Sequence, residues 1–534
     1  MITWLKKIRK FDLNIGILLI SSTILRIINL GYSDYQGDEI KAFFILEPGQ
    51  TVAEFLLNQR KGPVQFFITY LLKPLSANFD DQFILRLPFA IAGILSVFFF
   101  YLLLKDIFNN KLAFYAAFFL STNGFFVAFS GIVQYQSFVI LFAVLALYSL
   151  NAASKREKLA IPGLFFGFLF WALSILSHYD GIFIAPAVVY FIYNWFKLSD
   201  LKTPRKLVLI GITALIPLAL LLSFYIPFVL NISETTTAYW EGRLSGAVSA
   251  KISSSNYLFS VYQPIYVLHI YRILFVIGFV GLFYTSIRKC LSGIAAKTYK
   301  LLRLADDFLL TDFSPLIIVT LFVWFGLAFL FWEKLVYIPG THIYNYLIPM
   351  VVIMSFGIVV LEKLTARFFK FKQVKKLILI PIAIVFIFIF LQSFAVFVEN
   401  NTEYPWHEER FYWWTFNKPT PIFHLSMFGF PYYRDWEGIR TFIHQNNDID
   451  AYSTNERKSI ARYYIKLQKD TAQAGYFVFI KNPQSFENKV LSDKAAYWVN
   501  KYPPKHTFSR NGQDLVAIYI MPVGQLDEII SQGY

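Results

Sequence analysis

The stretch that decides the fold class is "ILRLPFAIAGILSVFFFYLLLKDIF", residues 84–108, whose first 21 residues contain one charged side chain, Arg86. A helix needs about 20 mostly apolar residues to cross a bilayer. Comparable runs recur along the chain and predict about 11 spans: 13–31, 84–104, 112–130, 132–150, 160–177, 181–196, 207–230, 266–287, 314–332, 344–362 and 377–398. The sequence therefore predicts a polytopic α-helical membrane protein.

Composition agrees with this class. Of the 534 residues, 56% are hydrophobic and 16% are charged, whereas soluble domains average roughly 45–50% apolar and about 25% charged residues. A net charge of +15 would indicate nucleic-acid binding in a soluble protein. Here the basic residues lie between apolar runs, as in cytoplasmic loops of membrane proteins, so membrane lipids and not nucleic acid are the expected partners. The single cysteine, Cys290, excludes an intramolecular disulfide.

Loop charge predicts the orientation. The short apolar segment 63–76 is the ambiguous case, because it contains Lys73. If it does not span, the loops on the side of the N-terminus hold 24 of the 49 basic residues, as the positive-inside rule requires. The sequence then predicts a cytoplasmic N-terminus, an interfacial or re-entrant segment 63–76, and two external loops, 32–83 and 231–265.

The tail 399–534 is polar and differs from the rest of the chain. "RDWEGIRTFIHQ" (434–445) has apolar residues at helical spacing, and "GYFVFIK" (475–481) and "DLVAIYIM" (514–521) have strand character. We therefore expect a transmembrane domain, 1–398, followed by a small extracytoplasmic α/β domain, 399–534.

The first external loop opens with "YSDYQGDEIKAFF", residues 32–44. A partly desolvated carboxylate at a membrane surface can serve as a general base, so Asp38 and Glu39 are candidate catalytic residues. Asp34 alone is better interpreted as a solvated loop carboxylate. Lys41 lies one helical turn from Asp38, where it can bind substrate or form an ion pair.

Three motifs in this order form a recognisable pattern: Asp38-Glu39 followed by Lys41 and Ala42, then "KGPVQF" at 61–66, then "RLP" at 86–88. The pattern resembles the GT-C superfamily of membrane glycosyltransferases. It is most similar to the branch of protein O-mannosyltransferases, lipid A aminoarabinose transferases and their bacterial relatives. Gly62 replaces the first proline of that branch's motif and Arg60 replaces an acidic residue, so we do not carry over the aminoarabinose substrate.

The resemblance implies the GT-C fold and transfer of a sugar from a polyprenyl-phosphate donor to the hydroxyl of a lipid, glycan or protein acceptor on the external face. It implies that Asp38 takes the hydroxyl proton, supported by Glu39. The departing phosphate needs positive charge, and the branch also places a basic residue and a tyrosine near 334–349. The candidate donor-phosphate or substrate-binding residues are Lys61, Arg60, Arg86, His178, Lys41, His342 and Tyr346.

No cluster of His, Cys and carboxylate residues has metal-ligand spacing, so we expect neither a metal nor a cofactor. One rival is a transporter or lipid flippase of envelope polysaccharide export, which predicts charged residues midway through several spans. Another is a non-catalytic scaffold, in which Asp38 has no role. The abundance of Phe, Ile, Lys and Asn suggests an AT-rich bacterial genome and hence the inner membrane.

Overall fold

The computed structural model describes residues 12–245, 268–291, 314–337, 339–368, 379–401, 410–411, 414–415, 429–445, 449–483, 496 and 498–531. The basic N-terminal stretch before residue 12, most of the basic cluster 288–303 and the second half of the predicted loop 231–265 lie outside these ranges.

The described chain is mainly helical. Its helices are α1 (Leu13–Ile27), α2 (Gly37–Ile40), α3 (Val52–Leu57), α4 (Val64–Leu72), α5 (Gln82–Ile107), α6 (Asn110–Thr122), α7 (Gly124–Ser130), α8 (Gln136–Lys155), α9 (Ala160–Ser177), α10 (Ala185–Leu198), α11 (Thr203–Leu230), α12 (Glu234–Ser245), α13 (His269–Leu291), α14 (Pro315–Leu330), α15 (Tyr344–Phe368), α16 (Leu379–Phe397), α17 (Trp436–His444), α18 (Lys458–Ile465) and α19 (Gln525–Ser531). Short 3-10 turns occupy Glu157–Leu159, Tyr179–Ile184 and Gly340–Ile343, and a π turn occupies Phe331–Leu335.

Within the described ranges, nine helical segments are long and apolar enough to cross a membrane, and the bent pair α6–α7 makes a tenth. Helix α1 is apolar but has 15 residues. An apolar helix thus occupies each of the 11 predicted positions, and the polytopic helical fold class is confirmed. Helix α4, in the ambiguous segment, has nine residues and is therefore roughly 14 Å long, about half the thickness of a bilayer core.

The bend of 58° between α6 and α7 leaves carbonyl groups at the end of α6 without helical partners, and such groups must be satisfied inside a membrane protein. Arg26 of α1, which is 2% exposed, provides donors. Its Nη1 donates to the Ser121 carbonyl at 2.9 Å and its Nε donates to Ser130 Oγ at 3.2 Å. Arg26 therefore joins α1 to both halves of the broken helix.

The tail forms a small sheet domain, as predicted. Its strands are β1 (Arg410–Phe411), β2 (Trp414–Thr415), β3 (Ala451–Thr454), β4 (Gln468–Lys469), β5 (Tyr476–Ile480), β6 (His506–Arg510) and β7 (Gln513–Ile520). The five-stranded sheet has the order β4-β3-β5-β7-β6, with β3 parallel to both β4 and β5 and with β7 antiparallel to its two neighbours. One apolar core joins this sheet, α17 and α18 to the loop before α5.

Asp34 is one of the points where the tail domain meets loop 32–44. Its Oδ2 accepts the backbone N–H of Arg434 at 2.6 Å, and the neighbouring Tyr35 N–H donates to the Tyr464 hydroxyl at 2.9 Å. The Asp34 side chain is buried, so the interpretation of a solvated carboxylate was wrong. Burial raises the pKa of Asp34 to about 7. The hydrogen bond from the Arg434 N–H and the charge of Arg434 both lower this pKa, but they offset only part of the effect of burial.

This pKa predicts a pH-dependent domain contact. The unfolded-state pKa of an aspartate is about 3.9, so the folded protein binds more protons than the unfolded chain between that pH and about 7. The stability contributed by Asp34 is therefore present at low pH and is lost as pH rises through about 7. We therefore expect the difference in melting temperature, that of Asp34→Asn minus that of wild type, to become more positive as pH rises from 5 to 8.

Thermal unfolding of the full chain in detergent measures this difference, with the exposed Asp200→Asn as the control. A difference between Asp34→Asn and wild type that stays constant with pH would contradict a buried, titrating Asp34.

Candidate functional site

A four-residue helix, α2, directs two adjacent carboxylates in different directions. It begins with a capping box, in which the Gln36 side chain accepts the Asp38 N–H and the Glu39 carboxylate accepts the Gln36 N–H. Glu39 is fully buried, whereas the Asp38 side chain is 35% exposed. The two members of the predicted pair, Asp38 and Glu39, therefore have different environments.

Glu39 forms a buried ion pair with Arg86 of α5. Arg86 Nε donates to Glu39 Oε1 at 2.8 Å and Arg86 Nη2 donates to Oε2 at 2.9 Å. The other Glu39 contacts are the N–H groups of Gln36 and Val133, at 3.0 and 2.9 Å. Each carboxylate oxygen thus accepts two hydrogen bonds, which is what a buried charge requires.

The remaining Arg86 donors are also used. Nη1 donates to the carbonyls of Leu30 and Ser33 at 3.1 and 2.9 Å, and Nη2 donates to the Asp34 carbonyl at 3.1 Å. All five N–H groups of the guanidinium therefore have acceptors. This side chain therefore holds the loop after α1 in place, and its phosphate-binding role stays a prediction for which no guanidinium N–H is left over in this arrangement.

Asp38 lies among cations. Its Oδ1 is 3.5 Å from Lys41 Nζ and 3.8 Å from Arg457 Nη2, and Lys61 acts on it electrostatically. Desolvation, the largest single contribution, would raise the pKa of Asp38. The attraction of Lys61, Lys41 and Arg457 outweighs it, so the pKa lies below the ordinary value and Asp38 is ionised at neutral pH.

Arg457 belongs to the tail domain and reaches the site through a close backbone approach. A Cβ added at Gly37 would lie 2.8 Å from Ser459 Oγ and 3.0 Å from Arg457 Nη1, so a larger residue would displace the ends of these two side chains. Nothing in the sequence around "NERKSIARYY" distinguishes Arg457 from the other tail cations, and it was not predicted as a site residue.

Lys61 is half-buried between loop and helices. Its Nζ donates to Gln134 Oε1 at 3.1 Å and lies 5.3 Å from the centre of the Tyr135 ring. Gly62 stands where the family motif has a proline. The structure explains this departure, because a Cβ at position 62 would lie 1.8 Å from the Leu176 carbonyl oxygen at the end of α9. Burial lowers the pKa of Lys61 to about 8, and the Asp38 charge opposes that shift.

Two arginines lie beyond Lys61. Arg60 is exposed and stacks over the ring of Tyr239, with 4.2 Å from Cζ to the ring centre. Arg243 approaches the same ring at 5.0 Å, and its Nη1 is buried without a hydrogen-bond partner in the described chain. Arg243 lies on α12, in the predicted external loop 231–265, and was not predicted as a site residue.

His178 and His342 come together although they are distant in sequence. Their ring centres are 5.1 Å apart, and both rings contact the carboxylate of Asp180. The spacing of these residues along the chain shows no metal-ligand cluster, so none was predicted. The tertiary structure corrects this: the candidate ligand atoms of His178, Asp180 and His342 lie within 4.8 Å of one another.

Tyr346, a predicted substrate-binding residue, lies in a buried contact between helices. Its hydroxyl donates to Glu333 Oε1 at 2.5 Å, and its fully buried ring packs against Phe325 and Phe329. This side chain joins α15 to α14 and the π turn that follows it. We therefore no longer include Tyr346 among the substrate-binding candidates.

Residues 60–224 match the family model described as dolichyl-phosphate-mannose-protein mannosyltransferase. The matched segment is under a third of the chain, and it contains Lys61, Arg86, His178 and Asp180. With this match, the resemblance to the GT-C superfamily of membrane glycosyltransferases that the motifs indicated is confirmed. No curated protein sequence matches the chain.

Three solved structures are similar to this chain at low identity. The oligosaccharyltransferase AglB from Archaeoglobus fulgidus, in complex with an inhibitory peptide and a dolichol-phosphate, is 12% identical, with a TM-score of 0.48 over 91% of this chain and 70% of that one. ArnT from Cupriavidus metallidurans, bound to undecaprenyl phosphate, is 11% identical, with a TM-score of 0.48 over 96% and 98%. The Pmt1-Pmt2 protein O-mannosyltransferase complex of S. cerevisiae, bound to its sugar donor, is 15% identical, with a TM-score of 0.30 over 46% and 37%.

The contacts of Glu39 predict a structural effect of its replacement. Glu39→Gln leaves the Arg86 charge buried without its counter-ion, which should reduce the free energy of unfolding by about 3–5 kcal/mol. Thermal unfolding of the detergent-solubilised chain measures this, with the exposed Glu47→Gln of the same loop as the control. An unchanged melting temperature for Glu39→Gln would show that the pair does not stabilise the fold.

Proposed function

We propose that the protein transfers a sugar from a polyprenyl-phosphate donor to an acceptor hydroxyl, on the extracytoplasmic face of the bacterial inner membrane. The observation that carries the proposal is one ionised carboxylate, Asp38, among cations from separate chain segments: Lys41, Lys61 and Arg457. A base for the incoming hydroxyl and positive charge for a departing phosphate are the two requirements of this reaction.

In the proposed reaction the acceptor oxygen attacks C1 of the sugar while Asp38 takes the hydroxyl proton. The bond between C1 and the phosphate oxygen breaks, and its electron pair leaves with the polyprenyl phosphate. A single displacement of this kind inverts the configuration at C1. The low pKa of Asp38 keeps it ionised, and a bound donor phosphate would neutralise the neighbouring cations and make the carboxylate more basic.

Lys61 is the first candidate for binding the phosphate. Among the residues that the structure describes, its ammonium group donates one hydrogen bond, to the neutral side chain of Gln134, and it acts on Asp38 electrostatically. Lys41 and Arg457 already approach Asp38 and hold it ionised. Arg60 and Arg243, at the ring of Tyr239, extend the positive region and suit a second anionic group on the donor or the acceptor.

The external face follows from the charge of the loops, because the site lies in loop 32–83, opposite the basic loops.

The transporter or flippase reading explains the site less well. Buried charges of the described helices, such as Arg26, Arg86 and Glu362, lie near helix ends, whereas a transport path needs them midway.

Asp38→Asn should reduce sugar transfer at least about 100-fold, because a general base contributes roughly 10²–10⁴-fold to rate. Membrane vesicles containing the protein are supplied with synthetic undecaprenyl-phosphate sugars and an envelope extract as acceptor source. Release of free undecaprenyl phosphate is measured by mass spectrometry, so the acceptor need not be known. Glu47→Gln, in the same loop, is the control.

Two results would contradict the proposal. Full activity of Asp38→Asn would exclude this carboxylate as the base. Movement of the intact lipid-linked sugar across the vesicle membrane, with no release of undecaprenyl phosphate by the wild-type protein, would favour a flippase.

The pKa of Lys61 predicts the alkaline limit of activity. A lysine with a pKa of about 8 loses its charge as pH rises through that value, so kcat/KM should fall above pH 8. Asp38 stays ionised well below neutral pH and sets no limit there. Lys61→Arg should keep its charge and shift the fall to higher pH, whereas Lys61→Met should lose activity at all pH values. The exposed Lys73→Met is the control, and an alkaline fall unchanged in Lys61→Arg would contradict this role.

A further inference from the structure

The cluster of His178, Asp180 and His342 is buried, with exposures of 2%, 1% and 4%. His178 ends α9, Asp180 lies in the 3-10 turn Tyr179–Ile184, and His342 lies in the 3-10 turn Gly340–Ile343. Two segments separated by 162 positions therefore place three potential ligand groups at one point. The proposed transfer reaction assigns no task to this arrangement.

The contacts between these groups are short. Nδ1 of His342 is 2.8 Å from Asp180 Oδ2, and Nδ1 of His178 is 3.1 Å from Asp180 Oδ1. The backbone N–H of Asp180 also donates to His178 Nδ1 at 3.2 Å. A neutral His178 that accepts this bond has an unprotonated Nδ1.

An unprotonated His178 Nδ1 turns its lone pair toward a carboxylate oxygen. Asp180 Oδ1 is buried, and Tyr344 and His178 both interact with the Asp180 carboxylate by side-chain hydrogen bonds. Two lone pairs facing each other at 3.1 Å in a buried site repel, so a proton or a cation between them stabilises the arrangement. A bound cation meets this requirement, and so does a neutral imidazole that carries its proton on Nδ1.

Aromatic rings fix the orientation of both imidazoles. Trp332 stacks on His342, with 4.4 Å between ring centres and 7° between planes, and Tyr135 stacks on His178 at 4.0 Å and 10°. A metal site requires ligands held in place in this way. The rings do not need to rotate for their Nδ1 atoms to meet at Asp180.

We infer that His178, Asp180 and His342 bind a divalent first-row transition metal, with zinc as the best match. Two imidazoles and one carboxylate are a common zinc ligand set, with bonds of about 2.0–2.2 Å. Tetrahedral ligand atoms at such bond lengths are about 3.3 Å apart. The two distances between histidine nitrogens and Asp180 oxygens, 2.8 and 3.1 Å, need to open by a few tenths of an ångström, and all the ligand atoms lie within 4.8 Å of one another.

Three protein ligands leave one position open for a non-protein ligand. A divalent ion bound by one carboxylate carries an excess positive charge. Two cations lie nearby: Lys61, over the ring of Tyr135, and Arg243, which acts on His342 electrostatically. An anionic fourth ligand, a hydroxide or a phosphate oxygen, balances this charge. The inference concerns metal binding and does not depend on the proposed function.

Metal content tests the inference directly. The full-length protein is purified in detergent without chelators, and its metal is measured by elemental mass spectrometry. The protein is then stripped with dipicolinate and titrated with Zn²⁺ and Co²⁺ alone. We expect about one metal ion per chain and, with Co²⁺, the strong visible absorption of a four-coordinate site.

Asp180→Asn and His178→Gln should lose the bound metal, whereas His342→Cys should retain it, because a thiolate is also a zinc ligand. His444→Gln, an exposed histidine of the tail domain, is the control and should bind as wild type does. Size-exclusion profiles identify any variant that fails to fold, and the retained binding of His342→Cys then carries the test.

Three outcomes would overturn the inference: no binding of Zn²⁺ or Co²⁺ by stripped wild-type protein, equal binding by all variants, or loss of binding in His444→Gln alone. Absence of binding would mean that a proton on His178 Nδ1, and not a metal ion, lies between the imidazole and the carboxylate. Since metal content is measured without substrate, a failed transfer assay leaves this result unaffected.

Discussion

The buried ion pair between Glu39 and Arg86 is the interaction on which the rest of the site depends. It joins the start of the first long loop to α5, and through the Val133 N–H it also fixes the turn before α8. Every hydrogen-bonding position of both side chains is used, which is the condition under which two charges can be removed from water. Because Glu39 points inward, the same short helix presents Asp38 on its other side.

The tail domain is part of this arrangement. Asp34 and Tyr35 bind its backbone and side chains, and Gly37 allows Arg457 to approach Asp38. The site is therefore built from the first loop, the segment before α4 and the tail domain together. Disruption of the Asp34 contact would remove a cation from beside Asp38 as well as loosen a domain.

Positive charge dominates the surroundings of Asp38. One carboxylate faces Lys41, Lys61 and Arg457, with Arg60 and Arg243 further away, and such a field attracts an anionic group. The half-buried position of Lys61 lowers its pKa, which ties the strength of that field to pH. The His178, Asp180 and His342 cluster contacts the Tyr135 ring through His178, and the Lys61 ammonium group lies 5.3 Å from the centre of the same ring.

The membrane class and the positions of the 11 apolar helices could be predicted from the sequence, because apolar length is a local property of the chain. Strand patterns also indicated the sheet domain, and the order of the motifs predicted Asp38 as the base. Which charges are available depends on the tertiary structure: Arg86 and Glu39 neutralise each other, Tyr346 bonds to Glu333, and Asp34 is buried. Arg457, Arg243 and the pairing of His178 with His342 could not be read from the sequence, since contacts between segments hundreds of residues apart depend on packing that no local pattern encodes.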